Sequence, residues 1–185
     1  MADGEVAAVP DRRRSIYVGH WRVDISIRDR VPRLVPAVVL ARAIAAALEA
    51  SRAPWPGSVG LTLTDDSELA ALNAQHMGED GPTDVLSFPM LAPETFRRGK
   101  RSAAFPIPPR TRQPIGDIVV SVQRAIQQAE QGRGGQTGDV RWSPADELRL
   151  LVTHGALHLC GWDHAEPDEE ARMRALERKL LRQAT

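Results

Sequence analysis

The chain is poor in cysteine, in aromatic residues and in long apolar runs. Cys160 is the only cysteine among 185 residues, so no internal disulfide can form, which favours a reducing compartment. No apolar run approaches the roughly 20 residues that cross a membrane, and the N-terminus lacks the basic start and apolar stretch of a signal peptide. These absences predict a cytoplasmic protein that has no contact with a membrane.

The chain also lacks a net charge. Its 24 basic and 24 acidic side chains cancel, which argues against nucleic-acid binding over the whole surface but allows local patches. With 185 residues, 42% of them hydrophobic, the chain is long enough to form one well-filled hydrophobic core and short for two such cores. We therefore expect a polar, disordered tail over residues 1–20, which contains three consecutive arginines, and a single domain over residues 21–185.

Three of the five histidines lie in one segment, His154-Gly-Ala-Leu-His158-Leu-Cys-Gly161-Trp-Asp-His164. At about 3.6 residues per turn, His154 and His158 share one helix face. Gly161 can end the helix because glycine takes positive φ without a Cβ penalty, and a short turn then returns His164 to the pair. Three imidazoles around an open fourth position are typical of a catalytic zinc. The pattern predicts one Zn2+ per chain, held by these three histidines.

The helix that carries the histidines has clear boundary signals. Ser143 can cap its N-terminus, Pro144 suits the first helical position, and Asp146 completes a capping box. Residues 148–160 are apolar nearly all the way round, which predicts a buried helix. Imidazoles in that setting need partners, which a metal or backbone carbonyls can supply. Cys160 lies on the opposite helix face and is expected to be a small buried hydrophobe rather than a ligand.

The histidine spacing also matches part of the metzincin peptidase pattern, H-E-x-x-H-x-x-G-x-x-H. A metzincin needs a glutamate directly after its first histidine as general base, and here that position is Gly155. The three histidine positions that bind zinc are therefore present, whereas the glutamate that accepts the proton in peptide hydrolysis is missing.

Alternating apolar residues predict four strands, at Val23–Ile27, Val59–Thr64, Val85–Phe88 and Asp117–Val122. Helical patterns cover residues 35–50, 66–76 and 122–131, and Pro167 opens a last helix with an inner stripe of Met173, Leu176 and Leu180. The mixture predicts an α+β fold, or an α/β sandwich, around one small four-stranded mixed sheet packed with helices. Near the C-terminus, the helix that carries the predicted metal ligands is expected to be of the zincin type.

The stretch from Pro93 to Pro114 is rich in proline and in basic residues, which are Arg97, Arg98, Lys100, Arg101, Arg110 and Arg112. The prolines predict a long irregular loop. Such a loop is either a solvated segment or a contact for phosphate groups, and the residues alone leave both open.

Several segments together resemble the YbeY-type endoribonucleases, which mature ribosomal RNA in bacteria. The family's C-terminal signature, H-G-x-L-H-L-x-G-[YW]-D-H, is similar to residues 154–164. Its middle signature resembles Pro82-Thr-Asp-Val-Leu-Ser-Phe-Pro89, and its Gly-Asp-Ile strand is similar to residues 116–118. Leu72-Asn73 fits as well, so the resemblance runs from about Val23 to the last helix.

The resemblance implies a small mixed sheet flanked by helices, and zinc held by His154, His158 and His164. It implies a cytoplasmic, single-strand-specific endoribonuclease that acts on ribosomal RNA, chiefly at the 3′ end of small-subunit (16S) RNA, in processing and ribosome quality control. Proteins of the small ribosomal subunit are the implied partners. Either a zinc-activated water or a neighbouring 2′-hydroxyl of the RNA is the nucleophile, and the sequence leaves this choice open.

One departure from the family concerns positive charge near the metal. Many members carry an arginine where this chain has Met77, and a thioether cannot stabilise a developing negative charge as guanidinium can. Either another group supplies this charge, with His76 and the basic residues Arg97, Arg98, Lys100 and Arg101 as the candidates, or catalysis is slower than in those members. Thr83 and Ser87 either contact RNA phosphates or pair within the sheet.

The leading hypothesis from the sequence is therefore a zinc-dependent endoribonuclease. A zinc peptidase is disfavoured by Gly155 and by the basic loop. A third possibility, from another class, is a non-catalytic ribosome-assembly factor in which zinc stabilises the C-terminal turn.

Overall fold

The computed structural model describes residues 12–76, 78, 81, 83–97, 111–132, 142–164 and 166–183. In chain order their elements are β1 (Arg12–Val18), β2 (Trp21–Ile27), α1 (Ala37–Ala50), β3 (Gly57–Thr64), α2 (Asp66–His76), β4 (Val85–Pro89), α3 (Glu94–Arg97), β5 (Gln113–Ser121), α4 (Val122–Glu130), α5 (Pro144–Leu159) and α6 (Pro167–Gln183). Among the helices of these ranges, none is both long and apolar enough to cross a membrane.

The strands form one mixed sheet in the order β1-β2-β3-β5-β4. The central pairs, β2 with β3 and β3 with β5, are parallel, whereas β1 and β4 pair with their neighbours antiparallel at the two edges. The predicted mixed sheet packed with helices is confirmed. The predicted number of four strands is wrong, because the described chain forms five.

The additional strand is β1, in the stretch where the sequence predicted a disordered tail. Arg12–Val18 pairs with β2 over its whole length, and residues 1–11 lie outside the described part of the chain. Ile16 and Val18 pack against the core, while Ser15 and Tyr17 alternate with them on the other face. The arginines suggested a tail, but charged residues are also common on edge strands, where they discourage pairing with another chain.

The prediction of an irregular loop over residues 93–114 also needs correction at its two ends. Glu94–Arg97 forms the short helix α3, and β5 already begins at Gln113. Residues 98–110 lie outside the described residues.

The core lies between one face of the sheet and the helices α1 and α5. The alternation of β2, β3 and β5 turns apolar side chains to this face, among them Val23, Ile25, Val59, Leu61, Ile118 and Val120. Each side chain of this size contributes roughly 1.5–3 kcal/mol by its burial. On the opposite face α2 covers only the β4–β5 side, where Leu69 packs with Leu86 and Val119.

Helix α5 approaches the sheet closely at Gly155. A Cβ atom there would lie 2.8 Å from Ile118 Cγ2 and 3.0 Å from Val85 Cγ2. The hydroxyl of Ser87 also donates a hydrogen bond to the carbonyl oxygen of Gly155 at 3.0 Å. The position at which a metzincin carries its catalytic glutamate is thus a contact between helix and sheet, with no room for a side chain.

We expect Gly155→Ala to destabilise the protein by about 1–3 kcal/mol, because the added methyl group overpacks this crossing. The loss should appear although alanine is favoured over glycine inside a helix by about 1 kcal/mol. Urea unfolding measures the effect. Ala171→Gly, at an exposed position of α6, is the control that reports helix propensity without packing. If Gly155→Ala were as stable as the wild type, close packing at Gly155 would not constrain α5.

Candidate metal centre

Capping interactions fix where α5 begins. The side chain of Ser143 accepts a hydrogen bond from the amide of Asp146, and the amide of Ser143 donates to the Asp146 carboxylate. Pro144 occupies the first helical position. The capping box predicted from the sequence is therefore confirmed, and it fixes the starting point from which the histidines are spaced.

A glycine turn ends α5 after Leu159. The amide of Gly161 donates to the carbonyl of His158 at 3.0 Å, and the amide of Trp162 donates to the carbonyl of Leu157 at 3.2 Å. These two bonds form a Schellman motif, which requires the positive φ of 77° found at Gly161. The prediction that Gly161 ends the helix is confirmed.

The turn is held in place on both of its sides. The indole N–H of Trp162 donates to Ser51 Oγ at 3.0 Å, which ties the turn to the end of α1. The carboxylate of Asp163 accepts a hydrogen bond from the amide of His164 at 2.7 Å, so Asp163 caps the turn. These contacts return His164 towards α5.

The three histidines converge on one point. Their possible ligand atoms all lie within 4.8 Å of one another, and Nε2 of His154 is 3.0 Å from Nε2 of His158. His154 and His158 are partly buried, whereas His164 is exposed and leaves the group accessible from solvent. The histidine triplet could therefore hold a metal ion.

A buried carboxylate orients the first of these rings. Nδ1 of His154 lies 2.7 Å from Oε1 of Glu177, which belongs to α6 and is only 7% exposed. Because an ionised carboxylate only accepts hydrogen bonds, the proton of His154 resides on Nδ1, and Nε2 presents a lone pair to the other histidines. This arrangement is common around protein-bound metals.

Glu177 is not among the site residues predicted from the sequence, although the sequence contains a signal for it. Met173, Glu177 and Leu180 follow the spacing of the inner face of α6, and all three are buried. A charged residue within an apolar stripe needs a partner inside the fold, which here is His154.

The surroundings of His158 favour its neutral form. Burial lowers the pKa of His158 to about 4, and the neighbouring charges of His154 and His164 act in the same direction. A hydrogen bond with the backbone of Trp162 and the charge of Asp163 oppose this shift. A metal binds the neutral imidazole, so this environment prepares His158 for ligation at neutral pH.

A cavity of about 240 Å³ adjoins the histidine triplet. Its polar lining includes Asp84, Gln128, Glu147 and Glu177. The carboxylate of Asp84 accepts hydrogen bonds from the amide of Val85 at 2.9 Å and from the side chain of Gln128 at 2.8 Å. The lining also contains Arg174, which is paired with Glu170, so acidic groups outnumber basic ones around the cavity.

Cys160 is not part of this centre. It lies in the hydrophobic core, and burial raises the pKa of its thiol to about 12. Metals bind the thiolate, so a thiol that stays protonated is a poor ligand. Its position agrees with the prediction of a buried hydrophobe.

The other predicted site residues are dispersed. His76 ends α2 and contacts the ring of Phe88 with 5.2 Å between centroids, and it is not among the grouped histidines. Ser87 bonds the backbone of α5, and Thr83 lies 3.4 Å from the carboxylate of Asp84. Met77, Arg98, Lys100 and Arg101 lie outside the described residues, as does the side chain of Arg97. Their contact with RNA stays a prediction.

Comparison with known proteins yields one family. A family model described as "Endoribonuclease YbeY" matches residues 29–185. The protein named endoribonuclease YbeY from Thermobifida fusca is 42% identical over 144 residues, which cover 77% of this chain and 81% of the relative. Its namesake from a Roseiflexus species is 36% identical over 161 residues, 86% of this chain and 91% of the relative. A third, from Chloroflexus aurantiacus, is 39% identical over 141 residues, 76% and 81% of the two chains.

We expect the metal-free protein to lose stability as the pH falls from 7 to 5. The pKa of His158 is about 4 in the folded state against an ordinary 6.5, so between these values the unfolded chain binds more protons and acid favours unfolding. Urea unfolding at a series of pH values, with a chelator present, measures this loss. His158→Gln removes the titrating group and should weaken the pH dependence.

Two carboxylates have a lowered pKa, but they do not contribute to the change expected between pH 7 and pH 5. A hydrogen bond from Ser67 lowers the pKa of Asp65, and one from Arg28 lowers that of Glu68, so both titrate below this range. Equal pH dependence in the wild type and in His158→Gln would show that His158 is not held neutral by its surroundings.

Proposed function

The chain belongs to the YbeY endoribonuclease family, and on this premise we propose that it is a zinc-dependent enzyme that cleaves single-stranded RNA. The family assignment confirms the resemblance seen in the sequence and makes the protein an RNA-processing endoribonuclease. The single observation that supports the metal dependence is the convergence of His154, His158 and His164 within 4.8 Å.

The chemistry of the donor set fits zinc. Three imidazoles with one side open to solvent are the ligand set of many catalytic zinc sites, and one zinc ion per chain is expected. Zinc bound there would act as a Lewis acid, either towards water or towards a phosphoryl oxygen of the RNA. Cys160, with its protonated thiol in the core, leaves the histidines as the ligands.

Residues of the chain set the protonation and the position of the three histidines before any metal binds. Glu177 keeps the proton of His154 on Nδ1 and fixes the plane of that ring. Burial keeps His158 neutral, and the turn at Gly161 sets the position of His164. The exposed side at His164 is where a phosphate of the RNA can approach.

A peptidase has less support. The position of the required glutamate is occupied by Gly155, where even a Cβ atom would lie 2.8 Å from Ile118. No side chain can extend from this position into the site. A metzincin mechanism would therefore need a base from elsewhere in the chain.

We further propose that the substrate is ribosomal RNA, chiefly the 3′ end of the small-subunit (16S) RNA, in the cytoplasm. Proteins of the small ribosomal subunit are the partners in this proposal. For RNA contacts we retain Thr83, just before β4, Ser87 within β4, and the basic residues Arg97, Arg98, Lys100 and Arg101. His76 remains the candidate for a further catalytic group, and it would have to reach the RNA from the end of α2.

Incubation of the purified protein with labelled RNA tests the proposal. We expect cleavage of single-stranded RNA but not of a matched duplex, loss of cleavage with a chelator, and recovery with zinc. His158→Ala should lower the rate about 100-fold or more, because losing even an outer partner of a metal-bound histidine costs about 10–100-fold in metal affinity or activity. The ends of the products distinguish attack by water from attack by a 2′-hydroxyl.

Two controls make the result decisive. A peptide library in the same buffer tests the peptidase, and it should stay intact. A protein that binds zinc and RNA and cleaves neither substrate would contradict the proposal, and it would favour the non-catalytic assembly factor.

A further inference from the structure

Four residues form a continuous surface cluster at the end of the sheet where β2, β3 and β5 begin. The rings of His20 and Trp55 are stacked, with 4.3 Å between centroids and 19° between planes. The guanidinium of Arg112 lies 5.3 Å from the ring centroid of Tyr17 and donates a hydrogen bond to the carbonyl of His20 at 2.6 Å. We call Tyr17, His20, Trp55 and Arg112 the aromatic–arginine cluster.

The sheet brings these residues together from separate parts of the chain. Trp21, Gly57 and Gln113 begin β2, β3 and β5 and lie side by side in register. His20, Trp55 and Arg112 each come just before one of these starting points, and Tyr17 lies near the end of β1 beside them. The cluster is thus a fixed feature of one end of the sheet.

The cluster exposes a tyrosine and a tryptophan, in a chain that has few of either. Tyr17, the only tyrosine, is 62% exposed, and Trp55 is 44% exposed. The other tryptophans serve the fold, since Trp21 is buried, Trp142 donates to Glu147 and Trp162 donates to Ser51. Tyr17 and Trp55 therefore present ring surface to solvent.

The cluster also carries a positive charge. Among the described residues Arg112 forms no ion pair with a carboxylate. Its contacts are the carbonyl oxygen of His20 and the ring of Tyr17. Arg22, which lies opposite Tyr17, is by contrast paired with Asp24 at 2.9 Å. An uncompensated guanidinium between exposed aromatic rings suits a ligand that has flat rings and anionic groups.

We propose that the aromatic–arginine cluster is a second contact site for single-stranded RNA, remote from the histidine triplet. This inference rests on the proposed function, in which RNA is the substrate. Unpaired bases stack on the exposed rings of Tyr17 and Trp55, and Arg112 binds a phosphate of the same strand. A duplex cannot use the cluster in this way, because its bases already stack on one another.

The cluster and the metal centre lie in different parts of the fold. Tyr17 lies on the face of the sheet away from the core, whereas His154 and His158 belong to α5, which packs on the core face. The two sites would therefore contact different nucleotides of one RNA strand.

Binding of a labelled 16-nucleotide single strand, measured by fluorescence anisotropy with a chelator present to prevent cleavage, tests the inference. We expect Trp55→Ala and Arg112→Ala each to raise Kd about tenfold, which is within the range for loss of one stacked base. Trp55→Phe keeps an aromatic face and should retain most of the affinity. An oligonucleotide of the same length without bases should bind the wild type and Trp55→Ala equally.

Matched variants outside the cluster are the controls. Val38→Ala removes an exposed apolar side chain from α1, and Arg42→Ala removes an exposed positive charge from the same helix. Both should leave Kd unchanged. Melting curves of all variants show whether each one folds.

The outcomes separate this inference from the proposed function. If the folded Trp55→Ala and Arg112→Ala variants bind the 16-nucleotide strand as well as the wild type, the inference is wrong while the proposed function stands. The same result would be expected of a cluster that only supports the fold or that binds a protein partner. If the wild type binds no single-stranded RNA at all, both the inference and the proposed function fail.

Discussion

The close approach of α5 to the sheet at Gly155 is the constraint on which the candidate site depends. With no side chain between helix and strands, α5 lies directly on Ile118 and Val85, and the helix cannot rotate without a clash. The flanking positions His154 and His158 must then project to the side of the helix, towards α6 and solvent. The same close contact leaves no room for the glutamate that a metzincin carries at this position. Gly155 therefore both positions the metal ligands and excludes the general base of a peptidase.

The metal centre and the C-terminal helix depend on each other through Glu177. A carboxylate that is only 7% exposed needs a partner, and leaving a buried polar group without its hydrogen bond costs about 1–3 kcal/mol, more for a charged group. Here the partner is the ring of His154, at 2.7 Å. Metal bound by the histidines would therefore also stabilise the packing of α6, because binding free energy at a native site adds to the stability of the fold.

Local patterns predicted much of this structure, and contacts over long sequence distance supplied what they missed. The capping box at Ser143, the turn at Gly161 and the grouping of the histidines each depend on residues within one helix and the turn that follows it. Strand β1 was missed because its pairing with β2, rather than its own arginines, decides its conformation. Glu177 was missed because its partner lies 23 residues away on another helix. The cluster around Trp55 likewise joins segments that only the sheet brings together.

Zinc titration against a chromophoric chelator is the most direct test of the claim that Glu177 and the three histidines form one metal centre. The wild type and Glu170→Gln, a variant of the same helix that alters the cavity but no histidine contact, should each bind one zinc ion with equal affinity. Glu177→Gln should bind zinc about 10–100-fold more weakly, the usual cost of losing a partner of a metal-bound histidine. Equal affinity of Glu177→Gln and the wild type, or no zinc binding by the wild type, would contradict the account.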